Sequence, residues 1–163
     1  MTEAASGGEA LRNPGPLQFG RRPEGAEPRD RPAAFAVVAR DGRIAIAFIQ
    51  RPDGTYTDLP GGALEGEETA ADACIREVGE EVGLRVRPLR LLGRASLFLR
   101  TVEGEQVNNR CALFEAELTG EDAALKIEDD HALQWLDPFD ALRVLRHDAH
   151  AWAVAAWLRA GGR

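Results

Sequence analysis

The chain has 163 residues, 44% of them hydrophobic and 29% charged, which suits one domain with an ordinary packed core and leaves no room for a second catalytic domain. Its formal net charge of -7 argues against a protein that grips nucleic-acid polymers, because that grip depends on neutralising many phosphates with a basic surface. No basic start followed by an apolar stretch and no apolar run of spanning length is visible, so the expectation is a cytoplasmic protein with no membrane partner.

Residues 1–31 are rich in Gly, Pro, Arg and Glu and lack hydrophobic periodicity, so they read as a largely irregular N-terminal extension in which only Leu17 and Phe19 could pack on the body. The domain proper is expected over residues 32–163. It opens with two apolar runs, Phe35 to Ala39 and Ile44 to Ile49, separated by Arg40-Asp41-Gly42-Arg43, where Asp-Gly marks a hairpin turn. Arg51 follows the second run; it is placed either to reach a phosphate or to form an exposed ion pair. Next comes the loop Leu59-Pro60-Gly61-Gly62-Ala63-Leu64-Glu65, whose adjacent glycines let the backbone approach a metal or phosphate with no side chain between.

A helix of about 13 residues is expected after that loop, capped by Thr69 with Asp72 three residues on and closed by Gly83. On a helical wheel Ala71, Ile75, Val78 and Val82 share one sector, which predicts the packing face. Glu77, Glu80 and Glu81, spaced i, i+3, i+4, cluster away from it. Unpaired carboxylates at that spacing destabilise a helix, so a compensating cation is needed, and oxygen-only ligands point to Mg²⁺ or Mn²⁺ rather than zinc.

Beyond the helix, Leu89 to Arg100 and Val107 to Leu118 read as two long strands joined through Glu103-Gly104-Glu105. In the second, Ala112, Phe114, Ala116 and Leu118 alternate with Leu113, Glu115 and Glu117. An acidic linker from Thr119 to Asp130, a short strand around Leu133 to Leu136, and helices from Pro138 to Arg146 and from Asp148 to Ala160 complete the chain. Trp152, Ala156 and Arg159 have the spacing of an amphipathic terminal helix. Strands on both sides of one helix, with another at the end, suggest an α/β fold with a mixed sheet between helical layers. Cys74 and Cys111 show neither metal-ligand spacing nor a disulfide framework and read as buried thiols.

The 23 residues from Gly62 to Leu84 resemble the signature of the Nudix hydrolases, the MutT-like family, matching it at Gly62, Glu68, Arg76, Glu77, Val78, Glu80, Glu81, Gly83 and Leu84. Seven fixed letters agree by chance on the order of once in 10⁸ windows. The resemblance implies an α/β/α sandwich around a central mixed β-sheet and Mg²⁺-dependent hydrolysis of a diphosphate linkage. It also implies site residues: Glu77, Glu80 and Glu81 as metal ligands with the backbone carbonyl of Gly61, and Glu68 and Arg76 bracing them. A further acid is expected from Glu128, Asp129 and Asp130, with Asp129 chosen. The general base is one of these glutamates or an acid of that loop.

His131 could serve a phosphate, but a structural histidine is favoured, and Trp135 reads as a core anchor. Tyr56, with Phe48, Phe98 and Phe139, is a candidate for a base-stacking wall, and Arg51 and Gly62 for contacts to phosphate. The expected partner is a small phosphorylated substrate, a nucleoside di- or triphosphate in first place, with ADP-ribose, other nucleotide-sugars and dinucleoside polyphosphates as alternatives; a homodimer stays open. A catalytically silent nucleotide sensor of the same family would be expected to have lost metal carboxylates. Here all three are retained.

Overall fold

A computed structural model describes residues 17–25 and 27–163, so the expectation for residues 1–16 lies outside the described residues. Two long strands form the spine of the sheet. Strand β2 (Arg29–Arg40) lies parallel to β7 (Gln106–Glu121) from Arg29 opposite Val107 to Val38 opposite Ala116. Strand β6 (Leu84–Arg100) runs antiparallel to β7, and β1 (Leu17–Phe19) joins the outer edge of β6 in parallel, with Phe19 packed on the core. Strand β2 thus begins at Arg29, ahead of the apolar run at Phe35 that marks it in the sequence.

On the other side, Asp41 and Gly42 turn the chain with φ of 51° and 75°, the paired left-handed conformation of a two-residue hairpin. Strand β3 (Arg43–Arg51) then pairs with β2 at Ala39–Ile44 and Arg40–Arg43 before leaving it. It collects β4 (Gly54–Asp58) on one edge and β8 (His131–Leu136) on the other, both antiparallel. The gap between β2 and β3 is entered by β5 (Gly61–Ala63), which pairs with Ala33 to Phe35. The sheet is mixed, as expected.

Alternation along β2 feeds two cores at once, since a strand covered on both faces presents apolar residues at every position. Ala33, Phe35 and Val37 point to one face with Ile44 and Ile46, where they meet α2 (Pro138–Val144) and α3 (Asp148–Arg159). Ala34, Ala36 and Val38 point to the other with Ala45 and Ala47, where they meet α1 (Ala70–Val82). The side chains under α1 are mostly alanines, which lets the helix backbone lie close to the sheet. Among the described residues no helix is long and apolar enough to cross a membrane.

Helix α1 starts as the sequence requires: Thr69 Oγ1 accepts the Asp72 amide at 3.1 Å, Asp72 accepts the Thr69 amide, and Gly83 closes the helix at φ 68°. Its rotation differs from the wheel. The buried stripe is Ala73, Cys74, Val78, Gly79 and Val82, whereas Ile75 is 44% exposed. The helix turns so that Glu77 and Glu81 face the β5 loop, and that carries Ile75 out of the interface. Helix α3 is also rotated from its expected face: Ala149, His150, Ala153, Val154 and Trp157 are buried, while Trp152 sits over Gly93, where a Cβ would lie 2.4 Å from its ring. Both cysteines are buried and unpaired, and burial pushes each thiol up to about 12.

Candidate active site

The acidic face of α1 is organised by one guanidinium. Arg76 grips Glu68 at 2.6 and 3.2 Å through Nη2 and Nε, donates to the carbonyl of Ala63 at 3.0 Å, and reaches Glu77 at 2.8 Å and Glu80 at 3.0 Å through Nη1. Planar, multidentate donation of this kind is what distinguishes Arg from Lys. It fastens the loop to the helix and supplies the cation that clustered glutamates require. The Arg76 guanidinium, helped by the Glu65 amide, holds the Glu68 carboxyl below its ordinary value, and Arg76 itself is raised, chiefly by Glu68.

The two glycines explain how the loop comes so near. A Cβ on Gly62 would stand 2.6 Å from the carboxylate of Glu77, and one on Gly61, at φ 146°, would stand 2.2 Å from the carbonyl oxygen of Ala34. The Gly61 amide donates to Glu81 at 3.0 Å. Burial, reinforced by neighbouring Glu81 and Glu80, pushes the Glu77 carboxyl up to about 7 despite its contact with Arg76, and burial raises Glu81 as well.

A second chain of charges meets Glu81 from β8. His131 Nε2 lies 3.3 Å from Glu81 and Nδ1 lies 2.7 Å from Asp130, which accepts from Arg51 at 3.1 Å. With a carboxylate at each ring nitrogen, His131 is raised above its ordinary pKa: burial alone would lower it, but Glu81 and Asp130 outweigh that effect. The ligand atoms of Glu128, Asp130 and His131 all lie within 4.8 Å of one another, the grouping among the described residues compact enough to hold a metal ion. Asp129 is exposed, and it is Asp130 that turns inward.

Glu77, Glu81 and His131 form one wall of a cavity of about 310 Å³ that opens onto the α3 face of the sheet. Phe35, Ile49, Leu97 and Leu99 give it apolar surface, while Arg31, Arg51, Arg100 and Arg146 give it positive charge. Its remaining wall comes from Asp58 and the start of α3. Arg146 pairs with Asp58 through two nitrogens and stacks 4.4 Å over Tyr56. His150, 1% exposed, accepts the Leu59 amide at 3.3 Å through Nδ1, and burial pushes its pKa down to about 3. Burial also lowers His147.

Comparison with known proteins decides the family, since residues 29–158 match the model of the NUDIX domain. The chain belongs to the NUDIX domain family. A MutT-like protein of Streptomyces ambofaciens is 45% identical over 60 residues, 37% of this chain and 38% of its own. A Bacillus subtilis protein provisionally named an 8-oxo-dGTP diphosphatase is 28% identical over 105 residues, 64% of this chain and 65% of its own. The chain therefore spans less than two thirds of either relative. The solved structure of a NUDIX hydrolase from Nitrosomonas europaea superposes with a TM-score of 0.69 at 22% identity, covering 83% of this chain and 92% of that one, and so shares the fold.

Within this NUDIX domain the donor set suits a hard divalent cation: carboxylate oxygens gathered where burial, with neighbouring Glu81 and Glu80, raises the pKa of Glu77, beside a backbone that only glycine lets approach. Of the residues singled out in the sequence, Arg51, Gly61, Gly62, Glu77 and Glu81 line the cavity, while Glu68, Arg76 and Glu80 stand directly behind it. Tyr56 lies in the adjoining depression with Arg51 and Arg146. Phe48, Phe98 and Phe139 are not among the lining residues, and the aromatic ring that is belongs to Phe35. Trp135 packs on the α1 core under Arg40, whose guanidinium lies 4.2 Å from its ring centre. Asp58, His147, His150, Arg31 and Asn109 carry no sequence signal, because they come from separate segments with no fixed spacing.

Proposed function

We propose that this protein is a cytoplasmic pyrophosphohydrolase that uses Mg²⁺, or Mn²⁺ in its place, to cleave a diphosphate linkage in a nucleoside di- or triphosphate or a related nucleotide derivative. The observation that carries the reading is the convergence of Glu77 and Glu81 with the Gly61-Gly62 backbone at one end of a cavity that is apolar and arginine-lined elsewhere, with Glu80 behind them on Arg76. The name of the Bacillus subtilis relative supports a nucleoside triphosphate among the substrates.

Glu77, Glu80, Glu81 and the carbonyl of Gly61 would hold the cation. When bound, it neutralises the diphosphate oxygens and lowers the pKa of the attacking water. Arg76 and Glu68 fix the glutamates in place, so that the ligand set is organised before substrate arrives. Arg51, tied to Asp130 at the cavity wall, is positioned to meet a phosphate oxygen, and the apolar surface of Phe35, Ile49 and Leu97 suits the organic group. The reaction places water on one phosphorus and releases a nucleoside monophosphate or phosphorylated fragment in line.

The test is a panel of nucleotides, nucleotide-sugars and dinucleoside polyphosphates incubated with and without Mg²⁺, with products identified by mass. Glu80→Gln should lower kcat by orders of magnitude while the melting temperature stays within a few degrees. Wild-type turnover in that variant would remove Glu80 from the metal set. A silent panel together with tight nucleotide binding would point to a sensor instead.

A further inference from the structure

Two of the four cavity arginines are already paired, Arg51 with Asp130 and Arg146 with Asp58. Arg31 and Arg100 are not. Among the described residues neither lies within 4.0 Å of a carboxylate; Glu103 lines the same mouth but stays outside that distance. Arg31 is half-buried, and burial pushes its pKa down. Among the described residues its guanidinium makes one hydrogen bond, from Nε to Oδ1 of Asn109 at 2.8 Å, and both terminal nitrogens are uncommitted there. A partly desolvated guanidinium held by a neutral amide is costly unless an anion completes it.

The holder is itself built in. Asn109 is 2% exposed and is the register partner of Arg31 across the parallel β2–β7 pair, so the hydrogen bond pins the guanidinium sideways along the sheet rather than back toward the glutamates. Arg31 lies three residues along β2 from Ala34, the partner of Gly62, which corresponds to roughly 10 Å at about 3.3 Å per residue. Strand β7, which carries Asn109, borders β2 on the edge opposite β5, so the pinned guanidinium is drawn away from the Gly61-Gly62 loop. Arg100 comes from the β6–β7 hairpin on the same cavity and adds a second unpaired cation.

We propose that Arg31, held by Asn109 and assisted by Arg100, forms a second anion subsite that binds a phosphate group carried on the organic part of the substrate, apart from the diphosphate that is cleaved. This rests on the diphosphate hydrolase reading and narrows it: the preferred substrate is a diphosphate compound whose nucleoside or other organic moiety is itself phosphorylated. Arg, with its planar fork and fixed charge, is suited to a phosphate dianion.

The test compares matched probes that differ by one phosphate, ADP-ribose with ADP-ribose 2′-phosphate and dephospho-coenzyme A with coenzyme A, by kcat/KM in the presence of Mg²⁺. In wild type at least one phosphorylated probe should be favoured about tenfold or more, the scale of one charge-assisted interaction. Arg31→Gln should bring that ratio to within about twofold of one, through KM, and Arg31→Lys should restore part of it. Absence of a preference in wild type, or an equal loss on both members of a pair in Arg31→Gln, overturns the subsite. If Arg31→Gln does not fold, Arg100→Gln on the exposed hairpin should still reduce the ratio, and an unchanged ratio there counts against the proposal. A separate arm measures binding of adenosine 3′,5′-bisphosphate and AMP by calorimetry in chelator. A bisphosphate preference that Arg31→Gln abolishes upholds the subsite even if no probe is hydrolysed, in which case the hydrolase reading alone fails. No preference in either arm overturns it.

Discussion

Glu77→Gln should make the metal-free protein more stable while it disables the enzyme. The Glu77 carboxyl is raised from 4.5 to about 7 because burial, aided by Glu81 and Glu80, outweighs its contact with Arg76. Carrying a carboxyl that far corresponds to about 3 kcal/mol at 1.36 kcal/mol per tenfold change, and this is the cost of keeping it ionised in the folded chain at alkaline pH. Glutamine stands in for the neutral acid but brings an extra amide donor beside Arg76, which reduces the gain to about 1–2 kcal/mol, or about 3–6 °C in Tm for a domain of this size. Because the folded pKa lies above the unfolded one, the folded state binds the extra proton between pH 4.5 and 7, and wild-type stability falls as pH rises through that window. The gain from glutamine is therefore full at pH 8 and a small fraction of that at pH 5. Thermal melts of both proteins in chelator at the two pH values read it directly. Equal Tm values at pH 8, or an offset unchanged at pH 5, would refute the claim that Glu77 is held ionised against its surroundings.

Gly62→Ala should cut activity and weaken Mg²⁺ binding with modest loss of stability, because its methyl group meets the Glu77 carboxylate; Gly61→Ala should destabilise by about 2 kcal/mol or more, because its methyl group meets backbone at a φ that disfavours side chains. Urea titration beside kcat separates the two. Arg76→Lys removes the two-nitrogen grip on Glu68 and should cost about 1.5–3 kcal/mol in the same titration, with a marked fall in kcat. Thr69→Ala removes the helix cap and should cost about 1 kcal/mol, with little change in KM.

What could be read from the sequence was local or carried by a fixed spacing. The Thr69 cap, the Gly83 stop and the Asp41-Gly42 turn each depend on residues within four positions of one another, and the family signature is a spacing within one loop and helix. The rotation of α1 was less accessible, since a wheel ranks faces by hydrophobicity alone. Ile75 lost its place in the interface because the orientation that aims Glu77 and Glu81 at the β5 loop buries Ala73 and Cys74 beside the expected Val78 and Val82. The cavity wall opposite the glutamates was invisible for a different reason. Asp58 lies 88 residues before the Arg146 it meets and Leu59 lies 91 before His150, and Arg31 meets Asn109 only through a parallel pairing that no short pattern announces. Asp130 and His131 lay in between: the acidic loop was noticed, but which acid turns inward is fixed by the pairing of β8 with β3.

The alanines beneath α1 set the tolerance of the whole centre. Ala34, Ala36, Ala45 and Ala47 leave no depth for adjustment, and Ala34 is also the residue whose carbonyl crowds Gly61 and whose register partner is Gly62. The helix bearing the glutamates and the loop that meets them are thus levelled against the same floor. A single added methyl group in that floor would tilt one against the other without touching either, so variation that spares every residue of the proposed site can still detune the proposed reaction from below.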